Sequence, residues 1–376
     1  MRKNLFVRSI AAVSGIVMLA SLAACGDNTS SAGNNSGSTS TEKITGSFSG
    51  AGATSQQAAE EAWISAYMAA NSGANVTYNP TGSGAGVTTF LSGATAWAGS
   101  DKALSDDEVT QSSDKACANG TTAFDVPVYI SPIAIIFNLK GVSDAGKHIN
   151  LDADTAAKIF DGKIVKWNDP AIANQNKDLT LPDTQITVVH RSDKSGTTQN
   201  FVSYFKDQAP DSWTHELSEN WPDIPGQQSA KGTSGVVTAV KQADGTIGYA
   251  DFSQVGDLGT AAIKVGENYN EISADAGSKV IEDSEIDTSV KGDNRVVVKI
   301  NHATEAKGAY PIVLVSYDIA CPAYKDANTA KFVKSWFTYV TSDEGQKTAS
   351  SAAGSAPLPS NIVEKVTKSI EAIKTK

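Results

Sequence analysis

Arg191, Ser192, Ser195, Gly196 and Thr197 crowd one short run, His190-Arg191-Ser192-Asp193-Lys194-Ser195-Gly196-Thr197-Thr198. A guanidinium, hydroxyls and a glycine at this spacing suit the recognition of an oxyanion. The planar fork of an arginine matches two oxygens of a tetrahedral anion. The elements that must hold the run can be read on either side of it. Ile186-Thr187-Val188-Val189 is a β-branched apolar run that predicts a buried strand. Phe201, Tyr204 and Phe205 recur at i, i+3 and i+4, which predicts one face of a helix. The first N–H groups of such a helix lack intrahelical partners and sit at the positive end of its dipole. The alternative for the same residues is a helix cap beside a surface arginine.

Two further turns are of the same kind. Gly50-Ala51-Gly52-Ala53-Thr54-Ser55 precedes a helix whose predicted apolar face is Trp63, Ala66, Tyr67 and Ala70. Gly82-Ser83-Gly84-Ala85-Gly86 precedes Val87, Phe90 and Leu91. Glycine lets a backbone approach a ligand closely. Each turn taken alone is weak evidence, whereas three, each with a hydroxyl and free N–H groups, predict one convergent site. A fourth segment, Trp97-Ala98-Gly99-Ser100-Asp101, reads as a short strand ending in a carboxylate. On spacing alone Asp101 reads as the cap of the helix that follows. In an anion site it has a use only if the ligand carries a proton that the carboxylate can accept.

Chemistry of other classes finds little support. His148, His190, His215 and His302 are scattered, and no His/Cys spacing suits a metal. No phosphate-loop, zinc-protease or nucleophile-elbow motif is present. Ser112 to Lys115 and Ser203 to Lys206 fit a Ser-x-x-Lys spacing without its companion motifs and read as chance. The net charge is -10. Setting aside Arg2, Lys3 and Arg8 from the 31 basic residues leaves 28 against 41 acidic ones, or -13. With no basic stripe, nucleic acid is not an expected partner. An acidic protein that binds an anion must do so through local dipoles and one or two cations.

Residues 1–25 read as a targeting segment: a charged start, then Ile10 to Leu22, too short to span a bilayer comfortably. It ends in Leu22-Ala23-Ala24-Cys25, which resembles the lipobox of bacterial lipoproteins. That resemblance implies cleavage before Cys25 and a diacylglycerol on its sulfur, and two acyl chains anchor stably. An ordinary secretory signal is the alternative. Residues 26–45 are nearly all small or polar and predict a flexible tether with a reach of about 25 Å. The folded part is expected from about Gly46, with strands alternating with helices in an α/β pattern.

These turns together resemble the PstS family, the substrate-binding lipoproteins of phosphate ABC importers. Further landmarks are Gly99-Ser100-Asp101, the stretch from Ile159-Phe160-Asp161-Gly162 through Trp167-Asn168-Asp169-Pro170 to Ile172, and Gly245-Thr246-Ile247-Gly248-Tyr249. The resemblance implies a two-lobe periplasmic-binding-protein-like fold with a hinge and the ligand in the cleft. It implies phosphate contacts from Thr54, Ser55, Ser83, Asp101, Arg191, Ser195, Gly196 and Thr197, with Asp193 orienting Arg191. The Gly162 to Trp167 stretch is expected to pack one lobe. One departure is Ser55-Gln56, where the family usually has an aromatic residue and then proline; the backbone N–H survives, but an apolar wall and a rigid helix start are lost. The chain is expected to cross between lobes twice, near residues 127–131 and 308–312. Lobe one is then 46–130 plus 311–376, and lobe two 131–310.

The implied protein is an exported monomer, lipid-anchored on the outer face of the cytoplasmic membrane. It needs no cofactor or metal, is not an enzyme, and delivers phosphate to importer permease subunits. A secreted phosphatase, a binder of another oxyanion such as sulfate or molybdate, and an adhesion or sensory protein on the same fold are the alternatives. With Cys25 lipidated, Cys117 and Cys321 remain, an even number in an exported chain. Each lies ten residues outside a prolyl residue of a proposed crossing, Pro127 and Pro311. Neighbouring crossing strands would bring them together as a disulfide; two buried free thiols are the alternative.

Overall fold

The computed structural model describes residues 43–143 and 148–376. The targeting segment, Cys25 and the tether as far as residue 42 lie outside the described residues. In chain order the elements are β1 (Gly46–Gly52), α1 (Gln57–Ala70), β2 (Ala74–Pro80), α2 (Ser83–Leu91), β3 (Trp97–Ser100), α3 (Asp106–Ser112) and β4 (Phe124–Asn138). Then come β5 (Ile149–Leu151), α4 (Ala153–Phe160), α5 (Pro170–Ala173), β6 (Thr187–Arg191), α6 (Gly196–Gln208), β7 (Gln228–Ala230), α7 (Gly232–Gln242), β8 (Thr246–Asp251), β9 (Gly259–Val265) and β10 (Asn268–Asn270). The chain closes with α8 (Ala274–Glu282), β11 (Glu285–Ile286), β12 (Val298–Lys299), β13 (Val313–Ala320), α9 (Ala327–Val340), α10 (Asp343–Ala353) and α11 (Ser360–Glu371). Among the described residues no helix is long and apolar enough to cross a membrane.

The strand β4 is the spine. Its first half, Phe124 to Pro132, pairs antiparallel with β13. Its second half, Ile133 to Asn138, pairs antiparallel with β8. On the β13 side the sheet continues through β3, β1 and β2, and on the β8 side through β6 and β7. Side chains of a strand alternate between faces, so the apolar pattern shows where β4 changes partners. Val126, Val128 and Ile130 lie in one core with Trp63, Trp97, Phe332 and Trp336. Ile133, Ile135 and Phe137 lie in a second core with Phe160, Trp167, Phe201 and Tyr249. Ala134 and Ile136, on the opposite face, pack with Val189, Val236 and Val240, so past Pro132 both faces of β4 are covered by apolar residues. There the second connection runs alongside, with the N–H of Ile133 donating to the carbonyl of Ile312 at 2.8 Å.

Trp167 is fully buried in the second core, with its indole N–H donating to the carbonyl of Gly245 at 3.0 Å. The segment around α8 and β12 crosses back: Val280, Ile281, Val296 and Val298 pack into the first core. Arg295, also in this segment, pairs with Asp125 of β4 at 2.7 Å, and both side chains are buried.

A disulfide joins Cys117 to Cys321, with Cα atoms 5.2 Å apart. Its place differs from the one argued from the crossings. Cys321 follows Ala320, which pairs with Phe124, so the bridge closes the end of the β4–β13 ladder remote from Ser131. It is packed with Val87, Phe90, Leu104 and Ile319 inside the first lobe. The bridge ties positions 204 residues apart. Replacing both cysteines by alanine is expected to cost about 2–4 kcal/mol of stability. Urea unfolding of the double variant beside the oxidised protein checks this, and equal midpoints would contradict it.

Candidate functional site

Arg191 is the last residue of β6, and its side chain is 2% exposed. Asp193 holds it by a double hydrogen bond, from Nε to Oδ1 at 2.8 Å and from Nη2 to Oδ2 at 2.6 Å. A guanidinium has five N–H donors in one plane. Asp193 takes the Nε–Nη2 edge, which leaves the Nη1–Nη2 edge of the fork for a ligand. Burial works to raise the Asp193 carboxyl, but the hydrogen bonds and charge of Arg191, with the N–H of Gly232, outweigh it and hold it below the ordinary carboxylate range. Gly82 sits against this pair with φ +100°, and a Cβ there would fall 2.5 Å from Asp193 Oδ2.

Ser195 is the N-cap of α6, in extended backbone, with its Oγ accepting from the N–H of Thr198 at 3.2 Å. Gly196 and Thr197 begin the helix, where N–H groups have no intrahelical acceptor. Phe201, Tyr204 and Phe205 are buried, as the i, i+3, i+4 spacing predicts, and they anchor the helix to the second core. Asp101 meets the turn from the other lobe, just past β3. Its Oδ2 accepts from Ser55 at 2.5 Å and from Thr197 at 2.8 Å, and its Oδ1 accepts from Ser316 at 2.9 Å. Its N–H donates to Ser83 Oγ at 3.2 Å. Burial pushes the Asp101 carboxyl up, against the three hydroxyls and the charge of Arg191, which pull it down. It caps no helix: Ser105 is the N-cap of α3, in a capping box with Glu108.

The two lobes touch directly here. Thr197 bonds Asp101, and Asn200 Nδ2 donates to the Asp101 carbonyl at 2.6 Å. The N–H of Thr233 donates to Thr54 Oγ1 at 3.0 Å, and Gln254 Nε2 donates to the Thr54 carbonyl at 2.8 Å. A Cβ on Gly196 would lie 2.7 Å from the Asp101 carbonyl carbon, so glycine is what lets the helix start come this close. The turns after β1, β2, β3 and β6 therefore converge, and Thr54, Ser55, Ser83, Asp101, Arg191, Ser195, Gly196 and Thr197 are all buried at one interface. His190, next to Arg191, instead stacks on Trp221 with ring centroids 5.4 Å apart.

The PBP superfamily domain matches residues 37–344. Phosphate-binding protein PstS2 of Mycobacterium bovis (strain BCG / Pasteur 1173P2) is 37% identical over 381 residues, covering 98% of this chain and 99% of the relative. The chain belongs to the PstS family of phosphate-binding proteins. The PstS protein of Xylella fastidiosa is 32% identical over 328 residues, covering 85% of this chain and 83% of its own length. Among solved structures, a high affinity periplasmic phosphate-binding protein (PfluDING) bound with phosphate matches with a TM-score of 0.70 at 23% identity, covering 86% of this chain and 93% of that one. The fold is thus the two-lobe binding-protein fold, with a hinge and the cleft between lobes.

Several polar residues at this PstS cleft escape a reading of local sequence. Thr233 stands in Gly232-Thr233-Ser234-Gly235 at the start of α7, a fourth glycine- and hydroxyl-bearing turn before a helix, and that pattern is a signal for it. Asn200, Gln254 and Ser316 carry no local signal. At the departure Ser55-Gln56, both side chains are fully buried and hydrogen-bonded. Hydroxyl and amide contacts occupy this place, where the resemblance led to the expectation that an apolar wall is lost. Among the described residues no group of three or more His, Cys, Asp or Glu could hold a metal ion.

Proposed function

We propose that this chain is an extracytoplasmic substrate-binding lipoprotein that captures inorganic phosphate and delivers it to an ABC importer. The observation that carries the reading is the pairing, across one closed cleft, of a buried arginine pre-oriented by Asp193 with a buried carboxyl, Asp101, that accepts from three hydroxyls. The arginine fork and the α6 N-terminus supply donors for the unprotonated oxygens. Asp101 accepts the hydrogen bond of a protonated oxygen. Thr54, Ser55 and Ser83 add donors from the first lobe, and Ser195, Gly196 and Thr197 from the second. Sulfate and molybdate, fully ionised, offer Asp101 no proton, so the reading favours phosphate and its protonated analogue arsenate.

Lobe closure completes the ligand set, a hinge mechanism. Lobe one comprises about 46–130 plus 311–376, and lobe two about 131–310, with the stretch from Val280 to Val298 riding on lobe one because its apolar residues pack there. The permease reads the closed form, and a lipid on Cys25 keeps the monomer at the outer face of the membrane. In this reading the hydroxyls serve binding: that of Ser195 accepts from the Thr198 N–H, and those of Ser55 and Thr197 donate to Asp101.

A further inference from the structure

Ser316 lies in the middle of β13, fully buried, and belongs to neither of the turns that bring hydroxyls to Asp101. Its hydroxyl has one proton, and where that proton points depends on what the oxygen accepts. Gln56 Nε2 donates to Ser316 Oγ at 2.8 Å. The direction of that amide is fixed by its other contacts. Nε2 is also 3.1 Å from the Tyr317 carbonyl, which can only accept, while Oε1 faces the Tyr78 hydroxyl at 3.1 Å. With its oxygen occupied by the amide, Ser316 has its proton free for Asp101 Oδ1. Asp101 thus receives a donor on Oδ1 and two on Oδ2. Hydrogen bonds donated to a carboxylate favour its charged form.

We infer that Ser316 and Gln56 are specificity-determining positioning residues, which keep Asp101 an acceptor-only carboxylate and so hold sulfate out of the cleft. The inference rests on the reading of Asp101 as the acceptor of the anion's proton. An ionised Asp101 meets a sulfate oxygen lone pair to lone pair, whereas a protonated Asp101 becomes a donor and admits it. The other groups that face Asp101 are the charge of Arg191 from β6, Asp251 at the end of β8, Tyr78 from β2 and Tyr129 from β4. Behind Gln56 lie two more buried carboxyls, Asp318 and Glu60. Burial pushes Asp318 up to about 8, and burial together with Asp318 pushes Glu60 up as well.

The test is calorimetric titration of sulfate and phosphate into wild type, Ser316→Ala, Gln56→Met and Asp101→Asn, from about pH 5 to 8, the range a buried carboxyl reaches. Sulfate does not titrate there, so a pH dependence of its binding reports the protein. In Ser316→Ala and Gln56→Met, sulfate affinity is expected to rise by about tenfold per pH unit on the acid side, the slope of one linked proton. In wild type the same rise should begin at a lower pH than in either variant, and Asp101→Asn should bind sulfate without pH dependence. A phosphate-to-sulfate ratio in Ser316→Ala equal to wild type at every pH overturns the inference, even if phosphate binds more weakly, because general loosening would weaken both anions alike. If Asp101→Asn also keeps the wild-type ratio, the reading of Asp101 itself has failed. Ser316→Ala removes a single oxygen and decides the matter should Gln56→Met not fold.

Discussion

Arg191→Ala is expected to weaken phosphate binding by about 2–5 kcal/mol, or about 30-fold to several-thousand-fold. The guanidinium is almost wholly buried and already fixed by two hydrogen bonds from its Nε–Nη2 edge. Its orientation is therefore settled before a ligand arrives, and little side-chain entropy remains to be lost on binding. Alanine removes the donors and also leaves Asp193, with the Gly232 N–H still on it, as a carboxylate beside an incoming anion. Both changes act against binding. Arg191→Lys should fall between, because an ammonium cannot donate along two parallel directions to Asp193 and the ligand at once. Titration calorimetry on ligand-stripped protein measures both variants. Near-normal affinity in Arg191→Ala would place the arginine outside the site.

The second large effect is on selectivity. Wild type is expected to prefer phosphate over sulfate by about a thousandfold or more, roughly 4 kcal/mol. The cost arises because a buried carboxylate is left facing an unprotonated oxygen with water excluded. Asp101→Asn replaces one oxygen by an amide that donates. It should therefore narrow the ratio by at least about tenfold, chiefly by raising sulfate affinity. Of the Ser55, Thr197 and Ser316 hydroxyls that now bond Asp101, those facing the new –NH2 can rotate to accept from it while those facing the retained oxygen go on donating, so the fold should tolerate the change. Competition of sulfate against phosphate in both proteins gives the ratio directly. An unchanged ratio would mean that Asp101 does not read the ligand's protonation.

The local parts of this cleft were legible because each rests on short-range physics. The apolar run ending at Val189 and the Phe201, Tyr204, Phe205 face locate β6 and α6, and Ser195 between them caps the helix. The face of α1 was only partly legible: Ala59, Trp63 and Tyr67 are buried, while Ala70, in the last turn, is exposed. Asp101 shows the limit of spacing. Its position suits a cap, yet Ser105 performs that role, and the expectation that Asp101 meets a ligand came only from the likeness to a family of binding proteins. Gln56 and Ser316 are 260 residues apart, and Thr54 and Thr233 are 179 apart. Such pairings depend on how the lobes close, which no hydrophobic period encodes. The return of Val296 and Val298 to the first core is of the same kind.

The most direct test is titration calorimetry on wild-type protein unfolded, freed of carried-over ligand and refolded. One phosphate per chain is expected, with arsenate binding as a close analogue and sulfate weaker by about a thousandfold or more. Phosphate and sulfate bound with equal affinity, or no saturable phosphate site at all, would contradict it.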